Sequence, residues 1–243
     1  MGFHYVQQPA LLAKIEDGFS HATEHSPHPK IVVLLGMSGL GKTQLALDYC
    51  GRSRALYRAI FWINASSSNT VTRELANIAG EISEGRIFDN YDSMIDFVKA
   101  TLSSWADPWL MVFDGYDDPK EFQDIPHSFP QGDAGAILIT SRNSYSKRLG
   151  TTIQLTGMTE NQSLELLLRR SDLERNPENI AQGMKIVRMF GYLPLAIDQA
   201  GAYINMTRLA LSQYIELYEN QKKAVLEHTP LMWEYGRQNI YST

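Results

Sequence analysis

One cysteine, Cys50, stands among 243 residues, so an intramolecular disulfide is excluded and the composition fits a reducing compartment. No stretch approaches the roughly 18 unbroken apolar residues of a membrane span. The first residues lack the basic-then-apolar order of a secretory signal. Runs of Lys and Arg are also missing, and 22 basic against 27 acidic side chains give a formal net charge of -5. That balance argues against nucleic acid or an anionic membrane as the main partner, whereas a nucleotide needs only local positive charge. There is no internal repeat and no low-complexity tract. The expectation is a cytoplasmic protein, long enough for one large α/β domain with a smaller appendage.

What is present is more specific. The apolar run Ile31-Val32-Val33-Leu34-Leu35 leads directly into Gly36-Met37-Ser38-Gly39-Leu40-Gly41-Lys42-Thr43, and Gln44-Leu45-Ala46-Leu47-Asp48-Tyr49-Cys50 reads as a helix. Strand, glycine-rich loop and helix in this order form a phosphate-binding loop. Its glycines let the backbone bend around an anion so that successive N–H groups and the helix N-terminus converge on it. Lys42 supplies an ammonium for the β- and γ-phosphates, and the Thr43 hydroxyl suits the magnesium that bridges them. The candidate nucleotide-binding residues are therefore Gly36, Ser38, Gly39, Leu40, Gly41, Lys42, Thr43 and Gln44. A glycine-rich turn that merely matches the pattern is the alternative; the flanking strand and helix weigh against it.

Further short apolar runs near 59–63, 109–113, 136–140 and 152–155 alternate with helical segments. Together with 31–35 they predict an α/β fold with a five-stranded parallel sheet between helical layers. The segment Ala59-Ile60-Phe61-Trp62-Ile63-Asn64 reads as too apolar for an edge facing water, so it is expected to be central, as are 110–113 and 136–139. Ligands of such sheets sit at the strands' carboxyl ends. There, Asp114 follows the third strand as a candidate second magnesium holder. Asp117 is free to orient an attacking water. Asp118-Pro119-Lys120-Glu121 reads as a helix start, with Asp118 as its cap in preference to a ligand. After the fourth strand, Thr140-Ser141-Arg142-Asn143 brings a guanidinium to the same end. Arg142 suits a γ-phosphate sensor, the alternative being a surface arginine in a polar loop.

Residues 1–30 hold a short helix near Pro9 to Phe19 and a linker. His21, His25 and His28 carry no accompanying cysteine or carboxylate cluster and are broken up by Pro27 and Pro29, so no metal site is assigned to them. Beyond 156 the period lengthens to that of helices. Leu164, Leu167 and Leu168 fit one face, as do Ile180, Met184, Val187 and Met189, and Pro194 opens a further helix. Arg169 and Arg170 read as a solvated helix face, and Tyr203, Tyr214 and Tyr218 as packing residues. The expected divisions are 1–30, 31–156, 157–227 and 228–243.

The motifs Gly-Met-Ser-Gly-Leu-Gly-Lys-Thr-Gln (36–44), Ile-Phe-Trp-Ile-Asn-Ala (60–65), Trp-Leu-Met-Val-Phe-Asp (109–114), Ile-Leu-Ile-Thr-Ser-Arg (137–142) and Leu-Pro-Leu-Ala-Ile-Asp-Gln-Ala-Gly-Ala-Tyr-Ile (193–204) occur together. In this combination the chain resembles the NB-ARC nucleotide-binding domain of NOD-like receptors, a branch of the STAND class of P-loop ATPases, most of all its fungal forms. The resemblance implies a P-loop NTPase sheet followed by a small helical ARC-type subdomain. It implies ATP or ADP with magnesium as cofactors, magnesium held by Thr43 and Asp114, and a sensor role for Arg142. It also implies Pro194 against the adenine, and residues near His4 to Val6 flanking the base. The family's second acidic residue falls on Gly115, which can do no acid–base work, and its Val-Gly-Arg stretch is not evident at Tyr5-Val6-Gln7. A winged-helix domain would continue from 228–243.

The function so implied is a slow regulatory ATPase whose nucleotide state controls self-association or contacts with partner domains of a signalling receptor. A small-molecule kinase or free NTPase would need a substrate pocket and a cationic lid, and neither is visible. A nucleotide-stabilised scaffold without catalysis has Gly115 as its best evidence. A DNA-associated ATPase lacks its basic face. ATP over GTP follows from the resemblance and from the missing Asn-Lys-x-Asp guanine reader.

Overall fold

The computed structural model describes residues 5–20, 28–83, 85–118, 122 and 125–227, without the side chains of 222–227. Two compact units divide between Met158 and Thr159. In the first, helix α1 (Pro9–Ser20) precedes strand β1 (Lys30–Leu35), helix α2 (Lys42–Arg52) and strand β2 (Ala59–Asn64). Helices α3 (Ser68–Ile82) and α4 (Tyr91–Ser104), then strands β3 (Trp109–Asp114), β4 (Gly135–Ser141) and β5 (Thr151–Gln154), complete it. The expected strands thus form one parallel sheet, in the order β2-β3-β4-β1-β5.

Strand periodicity explains the layers, because successive side chains point to opposite faces. Val33 and Leu35 of β1 join Phe61, Ile63, Met111, Phe113, Ile137 and Ile139 in a buried cluster with Val71, Leu75 and Ile78 of α3 and Val98 and Leu102 of α4. Val32, on the other face, meets α1 so closely that a Cβ on Gly18 would lie 2.9 Å from its Cγ2. Leu12, Ile15 and Phe19 bury the apolar stripe of α1. Trp109 is wholly buried, and its indole N–H is satisfied by donating to the Leu102 carbonyl at 3.0 Å.

The place of β2 corrects the sequence reading, since it is an edge strand. Its apolar character has a different cause from two-sided central burial. Phe61 and Ile63 are buried on the α3 and α4 face, while Ile60 and Trp62 remain half-buried. The Trp105 ring packs 6.4 Å from Phe61 and carries the Arg58 guanidinium 4.2 Å from its centroid. An edge covered in this way tolerates an apolar sequence.

The second unit is helical: α5 (Glu160–Ser171), α6 (Pro177–Met189), α7 (Pro194–Thr207) and α8 (Leu211–Glu227). Thr159 and Gln162 form a capping box on α5, and Asn176 caps α6 with Pro177 in its first turn. Leu164, Leu167 and Leu168 are buried, as are Ile186 and Val187. Glycines permit the close helix contacts: a Cβ on Gly183 would meet Leu164 Cδ1 at 2.6 Å, and one on Gly201 would meet Arg170 Cβ at 2.6 Å. Arg170 is an inter-helix residue, not only a solvated one, for it pairs with Asp198 of α7 at 3.1 Å. Tyr214 is buried, with rings of Tyr203 and Tyr218 at 6.0 and 6.4 Å.

Candidate nucleotide site

Parallel pairing aligns the strand ends. Leu35 lies opposite Ser141 on one side and Gln154 on the other, and Asn64 lies opposite Asp114. The ladder runs one residue further, with Gly36 N–H donating to Ser141 O, Tyr116 N–H to Thr140 O and Ala65 N–H to Asp114 O. The segments after β1, β3 and β4 therefore start from one edge. Because β4 lies between β1 and β3, Thr140 and Arg142 fall between the glycine loop and Asp114.

In the loop, Gly39 and Gly41 take φ values of 80° and 82°, a region that side chains disfavour. A Cβ on Gly36 would press on Leu155 O at 3.1 Å. Leu40 is buried and anchors the loop, whereas Ser38 and Gln44 are exposed. No side chain caps α2, whose N-cap is Gly41. Its first N–H groups thus remain available to an anion. Lys42 Nζ donates to the carbonyls of Gly36 at 2.7 Å and Met37 at 2.9 Å. Burial lowers the pKa of its ammonium, Asp117 and Asp114 oppose that shift, and Arg142 adds to it.

Asp114 is the hub. Its Oδ1 accepts from Thr43 Oγ1 at 2.8 Å and from Thr140 Oγ1 at 2.6 Å. The Thr140 hydroxyl in turn accepts the Gly115 N–H at 2.8 Å. Gly115 has φ 82°, so this turn is built for glycine. Thr140 is a site residue to which the sequence alone assigns no role. The signal was its position, a hydroxyl at the end of the strand that carries Arg142. Ser141, fully buried, donates to the Tyr116 carbonyl and ties the two post-strand turns together.

Asp117 is not left free. Its Oδ1 accepts the Arg142 backbone N–H at 2.7 Å and its Oδ2 accepts from Arg142 Nε at 2.6 Å. Thr43 with Asp114 and Asp117 with Arg142 are thus two bonded pairs, and the charges of Asp117, Arg142 and Asp114 all act on Lys42. Val6, in the segment before α1, is buried, and burial and Asp48 raise the pKa of the neighbouring Tyr5 phenol. Pro194 belongs to the second unit, where it takes the first turn of α7. His4, His21 and His25 lie outside the described residues, as do Pro119 to Glu121 of the expected cap and all of 228–243. The described His28 shares a hydrogen bond with Gln131 Oε1 at 2.6 Å.

The family model of the NB-ARC domain matches residues 13–172, more than half of the chain. The chain belongs to the NB-ARC family. Relatives agree: an NLR-like protein with nucleotide-binding and leucine-rich-repeat character from Hyaloscypha variabilis is 29% identical over 209 residues, covering 78% of this chain and 21% of that protein. The putative disease resistance protein RGA4 of Solanum bulbocastanum is 27% identical over 187 residues, covering 72% of this chain and 19% of that one. This NB-ARC chain thus spans about a fifth of the length of the curated relatives it matches. Two solved structures share its fold. Cdc6p from Pyrobaculum aerophilum has a TM-score of 0.58 and 16% identity over 82% of this chain and 62% of its own. Orc1 from Aeropyrum pernix, solved with DNA, has a TM-score of 0.52 and 15% identity over 92% of this chain and 68% of its own.

Within the NB-ARC family frame, the chain is a P-loop NTPase module of the type found in NLR proteins, and nucleotide binding is implied by membership. Among the described residues, no helix is long and apolar enough to cross a membrane.

Proposed function

We propose that this NB-ARC module is a nucleotide switch that binds ATP or ADP with magnesium, hydrolyses ATP slowly and thereby controls self-association or domain contacts of a larger NLR-type receptor in the cytoplasm. The observation that carries the reading is the hydrogen bond, 2.8 Å long, that the Thr43 hydroxyl beside the glycine loop donates to Asp114 Oδ1 at the end of β3. A hydroxyl and a carboxylate are the hard oxygen donors that magnesium takes from protein. Magnesium held there would neutralise charge on the β- and γ-phosphates. Gly36 to Gln44 would cradle the phosphates through backbone N–H groups, with Lys42 turning from its own loop carbonyls to the phosphate oxygens. Arg142 would read the γ-phosphate, and Val6 would flank the base. An element that differs between tri- and diphosphate is what biases a two-state assembly.

Gly115 favours a second reading, a nucleotide-held scaffold without turnover, because it places no acid beside Asp114. Titration with a fluorescent nucleotide tests the binding claim. Lys42→Ala is expected to lose about 1.5–3 kcal/mol of affinity, the scale of a hydrogen bond to a charged group. Asp114→Ala is expected to remove the magnesium dependence while the fold persists. Unchanged affinity in the first variant, or persistent magnesium dependence in the second, refutes the assignment.

A further inference from the structure

The grip of Asp117 on Arg142 has a form suited to one task. The carboxylate takes the backbone N–H of Arg142 with one oxygen and Nε with the other, at 2.7 and 2.6 Å. It thus fixes both the main chain and the root of the guanidinium. Among the described residues this grip uses neither terminal nitrogen of Arg142, so the forked end that matches phosphate oxygens is left for a ligand. The Arg142 side chain is 54% exposed and that of Asp117 only 25%. A half-exposed arginine without an anchor would sample many rotamers and lose that freedom on binding an anion. Anchored in advance, it loses less. Ser141 braces the same corner, since its hydroxyl donates to Tyr116 O and it precedes Arg142 in the chain.

We infer that Asp117 is a positioning residue that preorganises Arg142 toward the γ-phosphate, so that preference for ATP over ADP belongs to the Asp117–Arg142 pair as a unit. The inference rests on the nucleotide-switch reading above and goes beyond it by assigning that preference to a pair. Its test is a double-mutant cycle on the 243-residue chain, with affinities for a non-hydrolysable ATP analogue and for ADP measured by calorimetry in magnesium. Asp117→Ala and Arg142→Ala are each expected to weaken the ATP analogue about tenfold, the scale of one charge-assisted hydrogen bond. ADP affinity should stay within about twofold on the same scale, which also reports a folded protein. The double variant should be no weaker than Arg142→Ala alone. Asp117→Asn, which keeps the volume and one acceptor, should fall between wild type and Asp117→Ala. Full ATP-analogue preference in Asp117→Ala, or losses that multiply in the double variant, would overturn the pair while leaving nucleotide binding intact. Wild type that binds neither nucleotide overturns the switch reading itself.

Discussion

The sheet edge of the first unit and the helical second unit use buried hydroxyls differently. At the edge, Thr140 and Ser141 are almost wholly buried, and their hydroxyls join one strand's end to the next. In the helical unit the buried hydroxyls Ser163 and Ser171 belong to α5, where Ser171 donates to the Leu167 carbonyl of the same helix at 2.7 Å, and the charged pairs are partly or largely exposed. Thr159 and Gln162 cap α5, Arg188 pairs with Glu160 at 3.1 Å, and Glu165 pairs with Arg169. Exposed pairs of this sort contribute little, and the unit is held by its apolar stripe. Buried hydroxyls are different, since a lost partner leaves an unsatisfied group.

Substitutions can break this contrast, beginning with the largest effect. Leu167, wholly buried in α5, is expected to cost about 2–5 kcal/mol as Leu167→Ala, from lost transfer energy and the cavity left behind. Urea denaturation followed by circular dichroism measures it. A cost under about 1 kcal/mol, the level of a surface change, would mean that the apolar stripe does not hold the helical unit. Thr140→Val keeps the shape but strips Asp114 of a donor and Gly115 N–H of its acceptor. About 1–3 kcal/mol of stability should go with it, together with weaker magnesium-dependent binding. If stability is unchanged, the hydroxyl network is not structural. Gly115→Asp places an acid directly after Asp114. Its Cβ would meet nothing within 4 Å, so the strain comes from φ 82° alone, about 1–2 kcal/mol. Thermal unfolding reads that cost, and an unshifted melting temperature would show that the turn relaxes freely.

Much of this was legible in the chain because the signals are local. The glycine loop, its flanking strand and helix, and the five apolar runs are set by spacing over a few residues. The order of the strands is not local, which is why β2 read as central. Its apolar residues face α3, α4 and Trp105, and that cover depends on crossovers that no short window reports. The site divides in the same way. Lys42, Thr43 and Asp114 follow from motif position, and the structure brings them together. The engagement of Asp117 depends on the β3–β4 register, which carries its post-strand turn to Arg142, 25 residues on. Thr140 was visible as a letter but not as a role, since a hydroxyl at a strand end has several possible partners until the neighbouring strand is known.

In the proposed switch, Lys42, Thr43, Asp114 and Arg142 together hold a magnesium nucleotide. The most direct measurement is to incubate the purified chain with magnesium-ATP, desalt it, denature it and identify the released nucleotide by chromatography, with phosphate release followed alongside. Nucleotide should be carried through desalting at close to one per chain, with ADP formed slowly from the bound ATP. Protein that emerges free of nucleotide, under conditions in which it is folded, would contradict it.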